Sequence, residues 1–152
     1  CTYGAVDPWA WLNKLESEMN SEGRDVVTLL IENYVEANHL KELFDDVGLS
    51  DWMYIHEVNT EWPTLIELIN MDKRLVVFWE QSSDSSHPYF HDFLTHSWTT
   101  NYADDDTSSM DCETLRGDSN QPVFHMNNWL KNQAGLSDPN RASEANDVDF
   151  MV

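Results

Sequence analysis

The stretch Asp25-Val-Val-Thr-Leu-Leu-Ile-Glu-Asn-Tyr34 decides the fold class of this 152-residue chain. Its six residues from Val26 to Ile31 are all apolar or β-branched, and the run stops abruptly at Glu32. An apolar run without polar alternation is typical of a strand buried on both faces, as in a parallel sheet covered by helices. An acid at the end of such a strand lies at the carboxyl edge of the sheet, where α/β folds place their chemistry.

Further apolar runs predict more strands of the same sheet. Residues 52–55 form a short run that ends at His56, and residues 74–79 form a third buried run that ends at Glu80. A fourth strand is predicted at 122–126.

Helical signals precede the first three strands. One helix is predicted to begin at Pro8 and end at Gly23, and the apolar spacing 40, 43, 44, 47 predicts a second that Gly48 closes. Capping-box spacing opens a third at Thr64, with Leu65, Leu68 and Ile69 as its apolar face. Helices that alternate with strands through short connections predict βα units and a parallel sheet.

The pattern loosens after Glu80. We predict a Ser-rich loop at 81–87, a helix over 87–98 and a long acidic loop over 103–121. A turn at Pro139 leads into a helix from Arg141. The chain shows no domain boundary, and its length fits one domain.

The composition restricts the partners. With 28 acidic and 8 basic residues, the formal net charge is −20, which indicates a strongly solvated surface and excludes nucleic acid as a partner. The same charge disfavours anionic lipid unless a cation bridges the two surfaces. No apolar stretch is long enough for a transmembrane segment. The chain begins at Cys1 without Met or a signal-like segment, and Cys1 and Cys112 form one disulfide or pair elsewhere, so we lean towards an extracellular or secreted protein.

Glu32, His56 and Glu80 follow three successive predicted strands. Because parallel strands end on the same side of a sheet, the three side chains are candidates to face one cleft. Two carboxylates and an imidazole can hold a hard cation or divide the roles of acid and base. Alternatively, each residue simply begins a solvated loop.

Two other polar clusters favour structural interpretations. His87 and His91 have the i, i+4 spacing of metal ligands on a helix, and His96 follows, but no third ligand stands at a suitable spacing. We therefore interpret them as surface histidines of a polar helix. The acidic run 104–106 lacks the Gly and the terminal Glu of a calcium-binding EF-hand loop, so we interpret it as a solvated loop.

A series of stretches, in order along nearly the whole chain, carries a family resemblance. They are 25–34, Leu43-Phe44 with Gly48-Leu49, Trp62-Pro-Thr-Leu65, Lys73-Arg-Leu-Val-Val-Phe78, Trp98 with Tyr102, Cys112 with Arg116, Met126-Asn127 with Trp129, and 142–146. With these motifs the chain resembles the phosphatidylinositol-specific phospholipase C X-domain superfamily, the PLC-like phosphodiesterases, and in particular its small single-barrel members.

The resemblance implies an α/β fold, an incomplete TIM-type (β/α)₈ barrel, with residues 1–152 as a single partial domain. The N-terminal strands and the last strand are then expected to be absent. The two histidines that the family uses as general base and general acid belong to that upstream region, so no catalytic residue is expected in this chain. The chain alone is therefore expected to be inactive.

The implied activity of the parent protein is phosphoric diester hydrolysis of the phospholipase C type, which cleaves a phosphatidylinositol-like phosphodiester of a phospholipid substrate. Glu32 falls where calcium-dependent members place an acidic ligand, so the resemblance makes it a candidate Ca²⁺ ligand. His56, Glu80 and Asn127 are candidate site-lining residues. The alternatives are a non-catalytic barrel that binds a ligand or partner, and a complete small doubly wound domain with a metal site at Glu32 and Glu80.

Overall fold

The computed structural model describes residues 7–22, 24–32, 34–80, 86–102 and 104–146. The chain divides into two compact units, Cys1–Phe93 and Leu94–Val152. The described residues form a mixed α/β structure with two three-stranded sheets and no closed barrel. The α/β class is therefore confirmed, whereas the incomplete TIM-type barrel and the single partial domain stay predictions.

The helices and strands are short. The helices are α1 Pro8–Glu22, α2 Ala37–Asp46, α3 Leu65–Asn70, α4 Phe93–His96 and α5 Ala142–Ala145. The strands are β1 Val27–Ile31, β2 Leu75–Trp79, β3 Phe90–Asp92, β4 Ser97–Thr99, β5 Arg116–Gly117 and β6 Val123–His125. Single 3₁₀ turns lie at Ser50–Trp52, Thr107–Ser109 and Pro139–Arg141. None of the helices among the described residues has the length and hydrophobicity needed to cross a membrane.

The first unit contains the predicted parallel sheet, in the order β1-β2-β3. The strand β1 pairs with β2 from Val27 opposite Leu75 to Ile31 opposite Trp79. On its other side β2 pairs with β3, with Val77 opposite Phe90. All five residues of β2 are buried, so the prediction of a strand buried on both faces is confirmed there.

The strand β1 is buried on one face only, so the prediction that its apolar run is buried on both faces is wrong. Its inward residues pack against a core formed with α1 and α2, which includes Leu12, Leu40 and Phe44. Thr28 is exposed on the opposite face, and Leu30 is 38% exposed there. The described chain therefore covers β1 on its helical side, where Val27, Leu29 and Ile31 are partly buried.

The end of α2 and the start of α3 are where the local sequence signals predicted them. Gly48 has a φ of +79°, and its N–H donates to the Asp45 carbonyl at 3.1 Å, while the Leu49 N–H donates to the Phe44 carbonyl at 3.0 Å. This pattern is the Schellman motif that glycine favours at a helix end. The predicted capping box at Thr64 is also present. The predicted apolar face of α3 is confirmed only in part, because Leu68 is buried whereas Leu65 is 66% exposed.

Residues 52–55 do not form a strand, contrary to the prediction. A 3₁₀ turn ends at Trp52, Met53 makes one bridge to Leu75, and the Tyr54 N–H donates to the Leu75 carbonyl at 2.8 Å. Farther along β2, the same side is already paired with β3 from Val77 onwards. Competition for one edge therefore limits this segment to a single bridge.

The predicted helix over 87–98 is also wrong, since the segment forms β3, the four-residue helix α4 and β4. His87, His91 and His96 are buried rather than on the surface. The i, i+4 spacing of His87 and His91 suggested a helix, but pairing with β2 makes the chain a strand at His91. Tertiary contacts thus override the local periodicity.

The second unit holds a mixed sheet in the order β5-β4-β6. The predicted strand at 122–126 is confirmed as β6, which is parallel to β4, while β5 is antiparallel to it. A Cβ atom on Gly117 would meet the Ser97 carbonyl oxygen at 2.2 Å, so only glycine fits there. The predicted turn at Pro139 and the helix after Arg141 are present.

Several predictions fall on residues outside the described ranges. They concern Cys1 and its disulfide, Gly23 as a helix end, the loop at 81–85 and the tail from 147. Cys112 is exposed.

Arg74 connects α1 to the sheet. Its side chain is 4% exposed, and it donates to the Met19 carbonyl and to the Asp72 carboxylate, each at 2.9 Å. The Met19 carbonyl belongs to the last turn of α1, where carbonyls depend on donors from outside the helix. The guanidinium also lies 4.9 Å from the ring centroid of Trp52. A cation at this end is favoured by the helix dipole.

We expect Arg74→Met to lower the free energy of unfolding by about 1–3 kcal/mol, because it leaves a buried carbonyl without its donor. Urea unfolding followed by circular dichroism measures the change. Arg24→Met, at an exposed position just before β1, is the control. Equal stability of the two variants would contradict the role of Arg74 as a cap for α1.

We also expect the isolated chain to self-associate despite its charge, because β1 pairs with β2 alone among the described residues and presents an apolar edge. Sedimentation velocity should show association that increases with concentration. Leu30→Lys should shift the chain towards monomer, whereas Leu65→Lys on α3 should not. A monodisperse wild-type monomer would refute this prediction.

Candidate functional site

The parallel register brings two of the predicted site residues to the same edge of the sheet. Ile31 lies opposite Trp79, and the Glu80 N–H donates to the Ile31 carbonyl at 3.0 Å. Glu32 and Glu80 therefore follow neighbouring strand ends, with Glu32 exposed and Glu80 half-buried. Asp92 ends β3, where it lies opposite Trp79. The carboxyl edge of the sheet is acidic.

This edge fits a hard cation in the type of its ligands but not in their number. Carboxylate oxygens suit Ca²⁺, which takes six to eight oxygen ligands. No three His, Cys, Asp or Glu side chains within the described ranges are grouped closely enough to hold a metal ion. Glu32 as a Ca²⁺ ligand therefore stays a prediction.

His56 lies in an aromatic cluster that we define as Tyr54, His56, Trp62, Phe78 and His91. The His56 ring is stacked on Trp62 with centroids 3.8 Å apart and an interplanar angle of 14°. The Trp62 ring contacts Phe78 at 5.6 Å and His91 at 5.7 Å. His56 is only 6% exposed. The structure thus places it inside a packed layer and not after a strand end.

His91 joins this cluster to the sheet through both of its ring nitrogens. Nε2 accepts the backbone N–H of His56 at 3.0 Å, and Nδ1 lies 3.0 Å from the Val77 carbonyl. A carbonyl oxygen accepts only, so Nδ1 carries the proton, and Nε2 must be unprotonated to accept from His56. The arrangement selects one neutral tautomer.

Asn127, in the second unit, has its backbone and side chain held by one neighbour. Its N–H donates to Thr100 Oγ1 at 2.9 Å, and its Nδ2 donates to the Thr100 carbonyl at 3.0 Å. Asn128 is held similarly, since its Nδ2 donates to Asn146 Oδ1 at 2.9 Å. The geometry shows Asn127 fixing the chain after β6.

The sequence did not predict an apolar groove of about 370 Å³ that begins beside Glu32. The groove lies between α1, α2 and β1, and its walls include Trp11, Leu30 and Val35. A sequence feature that could have indicated this groove is Trp11, a large aromatic residue of the first helix that remains 46% exposed.

Burial lowers the pKa of His56 below its ordinary value of 6.5, and a backbone hydrogen bond with Thr60 and the Glu57 carboxylate oppose this shift. The folded chain therefore binds fewer protons at His56 than the unfolded chain. Its contribution to stability is complete above pH 6.5 and is lost as the pH falls through the lower folded pKa.

NMR titration of the His56 ring should give a lower pKa in the folded chain than in the urea-unfolded chain. Trp62→Leu removes the stacked ring and should raise the pKa of His56 towards the unfolded value. A folded pKa at or above the unfolded one would contradict the burial argument.

Comparison with known proteins gives consistent matches. The family model PI-PLC X 1 matches residues 4–148. PI-PLC X domain-containing protein 1 of Arthroderma benhamiae is 30% identical over 145 residues, which cover 87% of this chain and 47% of that protein. An uncharacterized secreted protein of the same fungus is 30% identical over 104 residues, which cover 64% of this chain and 24% of that protein. No solved structure matches the chain at a significant level.

The chain thus spans less than half the length of either relative, and it matches the family model over nearly all of its own length. The match confirms the resemblance that the ordered motifs indicated. The chain belongs to the PI-PLC X family.

Proposed function

We propose that the parent protein of this chain is a phosphoric diester hydrolase of the phospholipase C type that cleaves a phosphatidylinositol-like phosphodiester. The observation that carries the proposal is the family match over residues 4–148. The parallel sheet β1-β2-β3, with an acidic carboxyl edge, supports an incomplete (β/α)₈ barrel as the fold of this part.

The catalytic imidazoles of the proposed reaction lie outside this chain. One imidazole removes the proton from the attacking hydroxyl, and a second protonates the leaving alkoxide. Four of the six histidines here, His56, His87, His91 and His96, are buried. The two others, His39 and His125, lie on α2 and β6. On the family resemblance, His39, His56 and His87 match neither of the two catalytic histidine positions.

Glu32 is the residue of this chain that we assign to the reaction. An exposed carboxylate after β1, beside Glu80, presents oxygen ligands to a hard cation. Ca²⁺ bound there would supply positive charge to the phosphodiester. The cation would also reduce the repulsion between an anionic lipid and a chain of net charge −20.

The second candidate function is that of a non-catalytic barrel that binds a ligand or partner. The observation that favours it is that the described residues contain no group of three His, Cys, Asp or Glu side chains that could hold a metal ion. The parent would then keep the fold without the acid–base pair.

Secretion is part of the proposal. One of the two relatives bears the name of a secreted protein, and the exposed Cys112 suits pairing in an oxidising compartment.

In the full-length parent, we expect hydrolysis of phosphatidylinositol that a Ca²⁺ chelator abolishes. Glu32→Gln should raise the Ca²⁺ concentration for half-maximal activity by about tenfold, because a neutral amide replaces a charged ligand. Release of inositol phosphate measures the rate. Glu36→Gln, an equal change of charge at the exposed residue before α2, is the matched control.

The outcomes separate the parts of the proposal. Activity that the chelator does not affect, with an unchanged Glu32→Gln variant, would remove Glu32 from the site but keep the reaction. A folded parent without any phosphodiesterase activity would favour the non-catalytic barrel.

A further inference from the structure

A second surface of the first unit, apart from the acidic sheet edge, has the features of a binding site. A groove of about 490 Å³ lies between the aromatic cluster and α3. We call it the Tyr54–Trp62 groove, and its walls include Glu61, Glu67 and Asn70.

The aromatic walls of this groove are fixed in place. Trp62 is held by stacking on His56 and by its contacts with Phe78 and His91. The Tyr54 ring lies 6.2 Å from Trp62 at an angle of 49°, and the Tyr54 backbone is bonded to β2. Two aromatic rings set at an angle thus line the groove in a preorganised arrangement, which lowers the cost of ordering on binding.

The groove is negatively charged, and the carboxylate of Glu67 is held in place by hydrogen bonds. Glu67 Oε2 accepts from the Thr64 N–H at 2.8 Å and from Thr64 Oγ1 at 2.7 Å. These bonds lower the pKa of Glu67, so its carboxylate is ionised at neutral pH. Glu61 adds a second carboxylate, and no Lys or Arg is among the described residues that line the groove.

The negative charge near the groove also acts on the Tyr54 hydroxyl. Its pKa is raised, first by burial and then by the carboxylates of Glu57 and Glu67. A negative field at an aromatic corner repels anions and attracts cations.

We propose that the Tyr54–Trp62 groove binds a small organic cation of the quaternary ammonium type. Such a cation gains from the ring faces by cation–π attraction and from Glu61 and Glu67 by charge, without requiring a hydrogen bond. A bare metal ion is disfavoured, because the described residues offer no group of three metal-binding side chains. The proposal holds whether or not the parent is a phosphodiesterase.

The first test is an NMR titration of the chain with choline and with its neutral isostere 3,3-dimethyl-1-butanol. Choline should shift the Trp62 indole and Tyr54 resonances with a Kd of about 1 mM, and the isostere should bind at least about fivefold more weakly. Equal binding of the two compounds would overturn the proposal, as would the absence of shifts at tens of millimolar choline.

Variants locate the site. Glu67→Gln removes the charge but retains a capping residue suited to this position. Both Glu67→Gln and Tyr54→Leu should weaken choline binding roughly two- to fivefold. Glu42→Gln, the same charge change on the exposed face of α2, should have no effect. Loss of binding in Glu42→Gln equal to that in Glu67→Gln would show that only net charge acts and would overturn the site.

Vesicles distinguish the source of the ammonium group. Co-sedimentation with phosphatidylcholine vesicles that Tyr54→Leu weakens would support a lipid head group as the ligand. Binding of free choline without co-sedimentation would support a soluble ligand. Failure of both probes would exclude the cation site without affecting the proposed hydrolase activity.

Discussion

The strand β2 is the constraint on which the first unit depends. It is buried along its whole length and pairs with β1 on one side and β3 on the other. A buried backbone must satisfy all its hydrogen bonds, so each partner has to follow its register. Met53 bridges Leu75, ahead of the part of β2 that pairs with β3, and Arg74, just before the strand, caps α1.

The two faces of β2 give the unit two different surfaces. One face packs with α1 and α2 in the hydrophobic core, and the other supports the aromatic cluster. The register also fixes the acidic edge, because the strands that end at Ile31 and Trp79 deliver Glu32 and Glu80 together. Both proposed cation sites therefore rely on β2. The aromatic groove is attached near its start, where the Tyr54 N–H donates to the Leu75 carbonyl, and Glu32 is positioned near its end, where Ile31 lies opposite Trp79.

Family membership and catalytic activity are inferred from different kinds of observation. Membership follows from the family match over residues 4–148 and from a relative that is 30% identical over 145 residues. Activity depends on a few side chains at strand ends. The packing of four histidines into the interior shows that imidazoles alone do not identify those side chains.

The sequence by itself determined the local elements and the parallel sheet. These features depend on residues that are close together in the chain: the apolar runs of β1 and β2, the helix end at Gly48 and the capping box at Thr64. It also placed Glu32 and Glu80 at one edge, since parallel strands end on the same side. Only the tertiary structure decided that residues 52–55 make a single bridge, that His91 lies in a strand, and that β1 is open on one face. The first two outcomes depend on which segment already occupies an edge of β2, and such competition between distant segments leaves no periodic signal in the chain.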